Sequence, residues 1–312
     1  MRLAFIVDPL AKLKAYKDSS VFMMREAAKR GHEVWTFEAH DLFADGPVAA
    51  RAVRLDVGSD NDAWYRAAES AVHPLTHFDA VLMRKDPPFD QEYLYATLLL
   101  SLAEQQGARV VNRAAALRDY NEKLAILQFA VFTSPTLVAS GMDALNAFVD
   151  KHGDTIVKKL DGMGGTSIFR VRADDPNRNA ILEVQTANGT QSVMAQRYIP
   201  EIAKGDKRVL VIDGEVVPHC LARIPKAGET RGNLAAGGKG VTQPISQRDR
   251  EIAEALGPQL KADGLTIVGL DIIGDYLTEV NVTSPTCMVE IFEQTGTNAA
   301  ALVIDALERG PY

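Results

Sequence analysis

Leu3-Ala-Phe-Ile-Val7, a helical pattern that Ser19 or Ser20 can cap and Gly31 stops, and then Glu33-Val-Trp-Thr-Phe37 set the fold class. A short apolar run, a helix and a second apolar run of this spacing predict a βαβ unit, hence an α/β fold. Outward along the chain, Asp79-Ala-Val-Leu-Met83 predicts another strand. A helix from about Asp90 to Gln106, closed by Gly107, and the strand Arg109-Val-Val111 follow it. Open sheets of this kind take ligands at the carboxyl ends of their strands. Those ends carry Asp8-Pro9 and Arg84-Lys85-Asp86-Pro87-Pro88, where a substrate pocket is expected.

Beyond residue 122 the pattern changes. Thr136 to Ala139, Asp154 to Lys158, Ser167 to Val171 and Ser192 to Gln196 read as strands with helices between them. From Lys207 onward strands dominate: Lys207 to Ile212, an Asp213-Gly214 hairpin turn, Glu215 to Arg223, then Leu265 to Ile273 and Leu277 to Val282. Two α/β lobes therefore follow the first, and a cleft between them suits a nucleotide.

The 312 residues are enough for two domains, or one large fold with an inserted piece. With 46% hydrophobic and 24% charged residues the chain is neither disordered nor fibrous. A net charge of -7 supplies no global basic field, so neither nucleic acid nor an anionic membrane is an expected partner. Arg2 is followed by only five apolar residues, and no stretch is apolar for the roughly 20 residues of a membrane span, which predicts a soluble cytoplasmic protein. Cys220 and Cys287 are read as reduced thiols.

Three groups of residues can carry chemistry. Asp161-Gly-Met-Gly-Gly165 lies between two strands, and glycines there let backbone N–H groups approach phosphate oxygens, with Lys158 just upstream as a point charge. Taken alone, the same glycines also fit a plain hairpin turn. Asp271 sits on an apolar strand, and Glu279 and Asn281, two apart on the returning strand, share a face. Three oxygen donors on one sheet surface suit Mg²⁺, against the alternative of a polar outer face. Gly228 to Gly240 holds five glycines with Arg231 and Lys239, which fits either a surface loop or a lid over anions. Arg208 and Arg223 lie on the flanking strands. His219 and Cys220, being neighbours on a strand, point to opposite faces and make no nucleophile and base pair. Lysine, arginine, carboxylate and glycine together are the equipment of phosphoryl transfer.

The whole chain resembles the bacterial-type glutathione synthetases of the ATP-grasp superfamily. The resemblance rests on Met83-Arg-Lys-Asp-Pro-Pro-Phe-Asp90, Arg118-Asp-Tyr-Asn-Glu-Lys-Leu124, Leu160-Asp-Gly-Met-Gly-Gly165 and Gly205-Asp-Lys-Arg-Val209. It continues through Leu221-Ala-Arg-Ile-Pro225, Glu229-Thr-Arg-Gly-Asn-Leu-Ala-Ala-Gly-Gly238 and Leu277-Thr-Glu-Val-Asn-Val-Thr-Ser-Pro-Thr286. It implies an ATP-grasp fold behind an N-terminal pre-ATP-grasp parallel-sheet domain. The expected units are residues 1–122, a small lid subdomain at 123–197, and a C-terminal subdomain at 198–312 that carries the metal site and the 225–240 loop.

The resemblance also implies roles. Lys123, Lys158, Gly164 and Gly165 would meet the nucleotide phosphates, Gln196, Tyr198 and Ile199 would line the adenine pocket, and Asp206 would reach the ribose region. Arg208, Arg223 and Arg231 would be catalytic; Asp18, Ser19, Arg84, Asn233 and Ser284 would bind substrate; Asp271, Glu279 and Asn281 would hold two Mg²⁺, with Mn²⁺ as a substitute. Lys159 stands where the family pattern has proline, and side-chain alternation lets only one of the two lysines face the phosphates. The implied reaction joins γ-glutamylcysteine to glycine with ATP through an acyl-phosphate, in a homotetramer. Another ATP-grasp carboxylate–amine ligase, or a non-catalytic ATP-binding regulatory protein, remains open at this point.

Overall fold

The structure is a computed structural model and describes residues 1–226, 228, 232 and 237–310. The first sheet begins with β1 (Arg2–Ile6), α1 (Ser19–Lys29) and β2 (Glu33–Phe37), the expected βαβ unit, with β1 and β2 parallel. Asp18, not a serine, caps α1: its carboxylate accepts from the N–H groups of Ser20 and Val21. Next come β3 (Leu42–Ala44), β4 (Val48–Val57) and β5 (Tyr65–Pro74), which the sequence pattern did not reveal. They extend the sheet as antiparallel strands. The parallel part is completed by β6 (Ala80–Met83), α2 (Gln91–Gln105), β7 (Val110–Val111) and α3 (Ala114–Asp119). Asp90 caps α2 through Tyr93 N, and Gly107, at φ 99°, turns the chain out of it.

The second sheet contains β8 (Thr136–Ala139), α4 (Met142–His152), β9 (Asp154–Lys159), β10 (Ile168–Arg172), α5 (Arg178–Gln185) and β11 (Val193–Arg197), in the strand order β10-β9-β11-β8. The third contains β12 (Asp206–Ile212), β13 (Glu215–Ile224), β14 (Lys239–Pro244), α6 (Gln247–Ala262), β15 (Ile267–Ile273) and β16 (Tyr276–Asn281), followed by α7 (Met288–Thr295) and α8 (Ala299–Glu308). Its order is β14-β13-β12-β15-β16, all antiparallel. The β12–β13 turn puts Asp213 at φ 53° and Gly214 at φ 81°, the pair of positive φ values a two-residue hairpin of matching twist needs. Gly257 of α6 packs on this turn so closely that a Cβ there would stand 2.2 Å from Gly214 O.

The first and third sheets share their cores. One cluster runs from Ala4, Val81 and Leu100 to Val209, Leu256 and Val280, and another from Phe5, Met24 and Leu82 to Leu210, Ile304 and Leu307. Asn112, buried beside them, ties the sheets by polar contacts: its side chain donates to Ile267 O and Val282 O and accepts from Ile267 N, each at 2.8 Å. The second sheet has a core cluster of its own, made of Leu145, Val149, Val157, Val171, Leu182, Val193 and Ala195. Against the first of these clusters, His73 of β5 and His77 just beyond the strand stack at 4.1 Å between ring centroids, with Trp35 edge-on to both.

Candidate active site

The faces of the second and third sheets enclose a cavity of about 330 Å³, rimmed on one side by the Asp86-Pro87 end of the first sheet. Its walls follow from strand alternation. On β9, Ile156 and Lys158 point the same way, into the cavity; Lys159 points the other way and is not part of the lining. On β15 and β16 the register sets Asp271 opposite Glu279 and Gly269 opposite Asn281, so the three oxygen donors share one face. Arg208 on β12 is paired with Asp271 across the neighbouring ladder, and Asp206 with Arg223 on the other side.

These groups form a charge-alternating array. Arg208 Nε donates to Asp271 Oδ1 at 2.5 Å and its Nη2 to Oδ2 at 3.1 Å, while Arg223 Nη2 approaches Asp271 Oδ2 at 2.7 Å and also pairs with Asp206. Lys158 Nζ lies 3.3 Å and Lys123 Nζ 3.8 Å from Glu279 Oε1. Burial opposes the charge on Asp271, but the two guanidiniums outweigh it and hold the carboxyl well below its usual range. Glu279 is likewise lowered: burial opposes ionisation, and Lys158 and Lys123 overcome it. Asp206 goes the other way. Burial pushes it up to about 7 against the pull of Arg223, with Asp271 and Glu279 adding to the rise.

The structure gathers most of the residues singled out from the sequence. Lys123, Lys158, Gly164, Gly165, Gln196, Tyr198, Ile199, Asp206, Arg208, Arg223, Asp271, Glu279, Asn281 and Ser284 all line the one cavity. Gly164 and Gly165 lie at φ 62° and 81°, a backbone that favours glycine, and Lys123 Nζ donates to Gly162 O at 2.6 Å, tying the phosphate-type turn to the floor.

Asp18, Ser19 and Arg84 are not in the lining. They form a cluster behind the segment 285–288: Arg84, buried, donates to Ser20 Oγ (3.2 Å) and Pro285 O (2.9 Å), and Ser19 Oγ accepts from Met288 N. Arg84 Nη1 has no partner among the described residues. Arg231, Asn233 and much of the 225–240 loop lie outside the described residues; Gly232 is described and touches the cavity beside Arg223.

Two acidic lining residues were not assigned a role from the sequence, although both stand in quoted motifs. Glu122, beside Lys123, accepts from Thr283 Oγ1 at 3.2 Å; burial and Glu279 raise its carboxyl. Asp86 accepts a hydrogen bond from Ser284 Oγ, bridging the first sheet to the loop after β16.

Hard oxygen donors with an ionised carboxylate at Asp271 fit a magnesium ion. Among the described residues no group of three or more His, Cys, Asp or Glu side chains is gathered for a metal, because the third donor here is the amide of Asn281.

The family model described as "Prokaryotic glutathione synthetase, ATP-grasp domain" matches residues 122–296, and "Prokaryotic glutathione synthetase, N-terminal domain" matches residues 1–118. The chain is 57% identical to a glutathione synthetase of Ralstonia nicotianae over 310 residues, covering 99% of this chain and 96% of that one. It is 56% identical to a glutathione synthetase of Nitrosomonas europaea, covering 99% and 98%. Among solved structures, D-cycloserine synthetase DcsG superposes with a TM-score of 0.68 at 15% identity, covering 98% and 99% of the two chains. ATP-grasp ligase PsnB with its minimal precursor gives 0.64 at 19%, covering 98% of each. These two carry the fold alone.

Proposed function

Because the chain belongs to the prokaryotic glutathione synthetase family, and so makes glutathione from γ-glutamylcysteine, glycine and ATP, we propose that the cavity between the second and third sheets is where the ligation occurs. The observation that carries this reading is the convergence of four buried cations, Lys123, Lys158, Arg208 and Arg223, on one cavity that also holds Asp271 and Glu279. Such a set binds a polyphosphate while remaining close to charge balance. Lys123, Lys158 and the N–H groups of Gly164 and Gly165 hold the phosphates; Gln196, Tyr198 and Ile199 take the adenine, and Asp206 the ribose side.

Asp271, Glu279 and Asn281 would hold Mg²⁺, two ions with Mn²⁺ as a substitute. When bound, the metal neutralises phosphate oxygens and polarises the transferring group. The chain's own residues do the rest. The cysteinyl carboxylate of the dipeptide attacks the γ-phosphorus of ATP and ADP departs, leaving an acyl-phosphate. The glycine, as its free amine, then attacks the acyl carbon, gives up one proton to become the amide N–H, and expels inorganic phosphate. Arg208 and Arg223 stabilise charge on the transferring phosphoryl oxygens. Ser284 at the cavity wall, and behind it Asp18, Ser19 and Arg84, whose Nη1 has no partner among the described residues, would position the dipeptide from the first-sheet side, and Arg231 and Asn233 would complete the acceptor end.

The division into units at 1–122, 123–197 and 198–312 follows the same reading and is supported by the three sheets. A homotetramer in the cytoplasm is supported by the family resemblance. No described helix is long and apolar enough to cross a membrane.

The test is isotopic. γ-Glutamylcysteine carrying ¹⁸O in its cysteinyl carboxylate passes one labelled oxygen to inorganic phosphate for each glutathione made. Unlabelled phosphate accompanying glutathione synthesis overturns the acyl-phosphate route.

A further inference from the structure

Asp154, Ile156 and Lys158 stand two apart on β9 and so share a face. Ile156 and Lys158 line the cavity, and Ile168, two residues before Arg170 on the adjoining β10, lines it as well. Asp154 and Arg170 therefore continue the cavity wall beyond its rim, towards the chain that leaves β11 as Tyr198-Ile199.

There three contacts close a triangle. Arg170 Nε donates to Asp154 Oδ1 at 2.9 Å. Its guanidinium carbon lies over the Tyr198 ring, 3.7 Å from the centroid. The Tyr198 N–H donates to Asp154 O at 2.9 Å, so the same residue holds both the arginine and the backbone it covers. The preceding residue is tied the other way: Arg197 Nη2 donates to Tyr276 OH at 3.0 Å, on β16 of the third sheet. Successive residues of one connecting strand are thus pinned to opposite walls of the cavity. An arginine forked onto a carboxylate and stacked on an aromatic ring is more restricted than a surface ion pair, because plane and charge are both fixed.

We propose that Arg170, held by Asp154, is a positioning residue for nucleotide selection: by fixing Tyr198 it sets where the 198–199 backbone meets the purine edge of ATP. Arg170 touches no reacting atom, and none of the motifs quoted above contains it. The inference rests on the assignment of Tyr198 and Ile199 to the adenine pocket.

The test uses the full-length enzyme and compares Arg170→Met, Arg170→Lys, Tyr198→Phe and Tyr198→Ala. Arg170→Met keeps the length and removes the charged plane. It is expected to raise the KM for ATP about fivefold, the scale of a partly shielded cation–aromatic contact, while kcat and the KM for γ-glutamylcysteine change less than about twofold. Arg170→Lys, which keeps the charge and loses the plane, falls between Met and wild type; Tyr198→Phe, which keeps the ring that Arg170 covers, raises the KM for ATP less than Tyr198→Ala does. Equilibrium binding of ATP without the other substrates follows the KM. A purely structural role shifts all KM values together and lowers the melting temperature, and that result overturns the proposal. If Tyr198→Ala weakens ATP and Arg170→Met does not, the proposal fails and the adenine pocket stands. If neither variant affects ATP, the pocket assignment fails with it.

Discussion

Asp271 and Glu279 face each other as a cross-strand pair on β15 and β16, and each is answered by two cations, Arg208 and Arg223 at Asp271, Lys158 and Lys123 at Glu279. Like charges directly opposite on a sheet repel. Here the flanking cations keep both carboxylates ionised, and the two sites differ in how much they depend on them.

Glu279 keeps 21% side-chain exposure, so Glu279→Gln, though it leaves Lys158 and Lys123 without their carboxylate, should cost less stability than loss of Asp271, while turnover falls by about 10²–10³, the cost of losing one fixed charge-stabilising group. Asp271 is buried between two arginines. Asp271→Asn should lose turnover and also about 3–5 kcal/mol of stability, because it strands buried charge. Steady-state kinetics and urea unfolding of both variants check this. Chelation with EDTA should stop turnover and added Mg²⁺ restore it; full activity in Glu279→Gln sinks the metal assignment.

Lys158 and Lys159 separate by strand parity. Lys158→Met should raise the KM for ATP about 10- to 100-fold, the factor for one hydrogen bond to a charged group. Lys159→Met, facing away, should change it less than about twofold. Equal effects of the two substitutions would contradict the cavity described here.

His77 gives a pH dependence remote from the site. Burial, then His73 and Arg2, hold its imidazole below the ordinary value, against the smaller opposite pull of Glu33 and Asp79. The unfolded chain takes a proton near pH 6.5 where the folded chain does not, so stability falls as pH drops below about 6.5, levelling once the folded form is also protonated. His77→Phe keeps an aromatic ring against Trp35 and Phe78 and should flatten this part of the slope. Urea midpoints between about pH 5 and 8 measure it; parallel curves for the two proteins would refute the assignment.

Gly257→Ala sets two effects against each other. Alanine gains up to about 1 kcal/mol of helix propensity in α6. Its Cβ, however, meets backbone at Gly214 O, where no side chain can move aside, and overpacking of this kind costs about 1–3 kcal/mol. Net destabilisation is expected in thermal or urea unfolding, and a stabilised variant would show that the turn yields freely.

The βαβ start and the acidic hairpin at 267–281 were legible because each couples an apolar period to punctuation by glycine or proline. Asp271 stood out as an acid within Ile267, Val268, Leu270 and Ile272, all of which are buried. By contrast β5 reads Tyr65-Arg-Ala-Ala-Glu-Ser-Ala-Val-His-Pro74 and is largely exposed, so no burial period marks it; its ladder to β4 supplies the order. The Asp18, Ser19 and Arg84 cluster joins the cap of α1 to the end of β6 and to Pro285, separations that no local pattern encodes. Arg170 alternates on β10 like any solvent-facing residue, and only the fold shows the ring it covers.

The separate core of the second sheet has a calorimetric consequence. A lobe with an apolar interior of its own can melt before the rest, since its loss takes from the joined interior of the first and third sheets only Met194 and the partly buried Val138 and Leu160. What else joins it across the cavity is polar: Lys158 to Glu279 and Arg197 to Tyr276. Without nucleotide the heat-capacity trace should therefore show two endotherms, and saturating ATP, by bridging both walls, should draw the lower one up towards the upper until the enzyme melts as a single body.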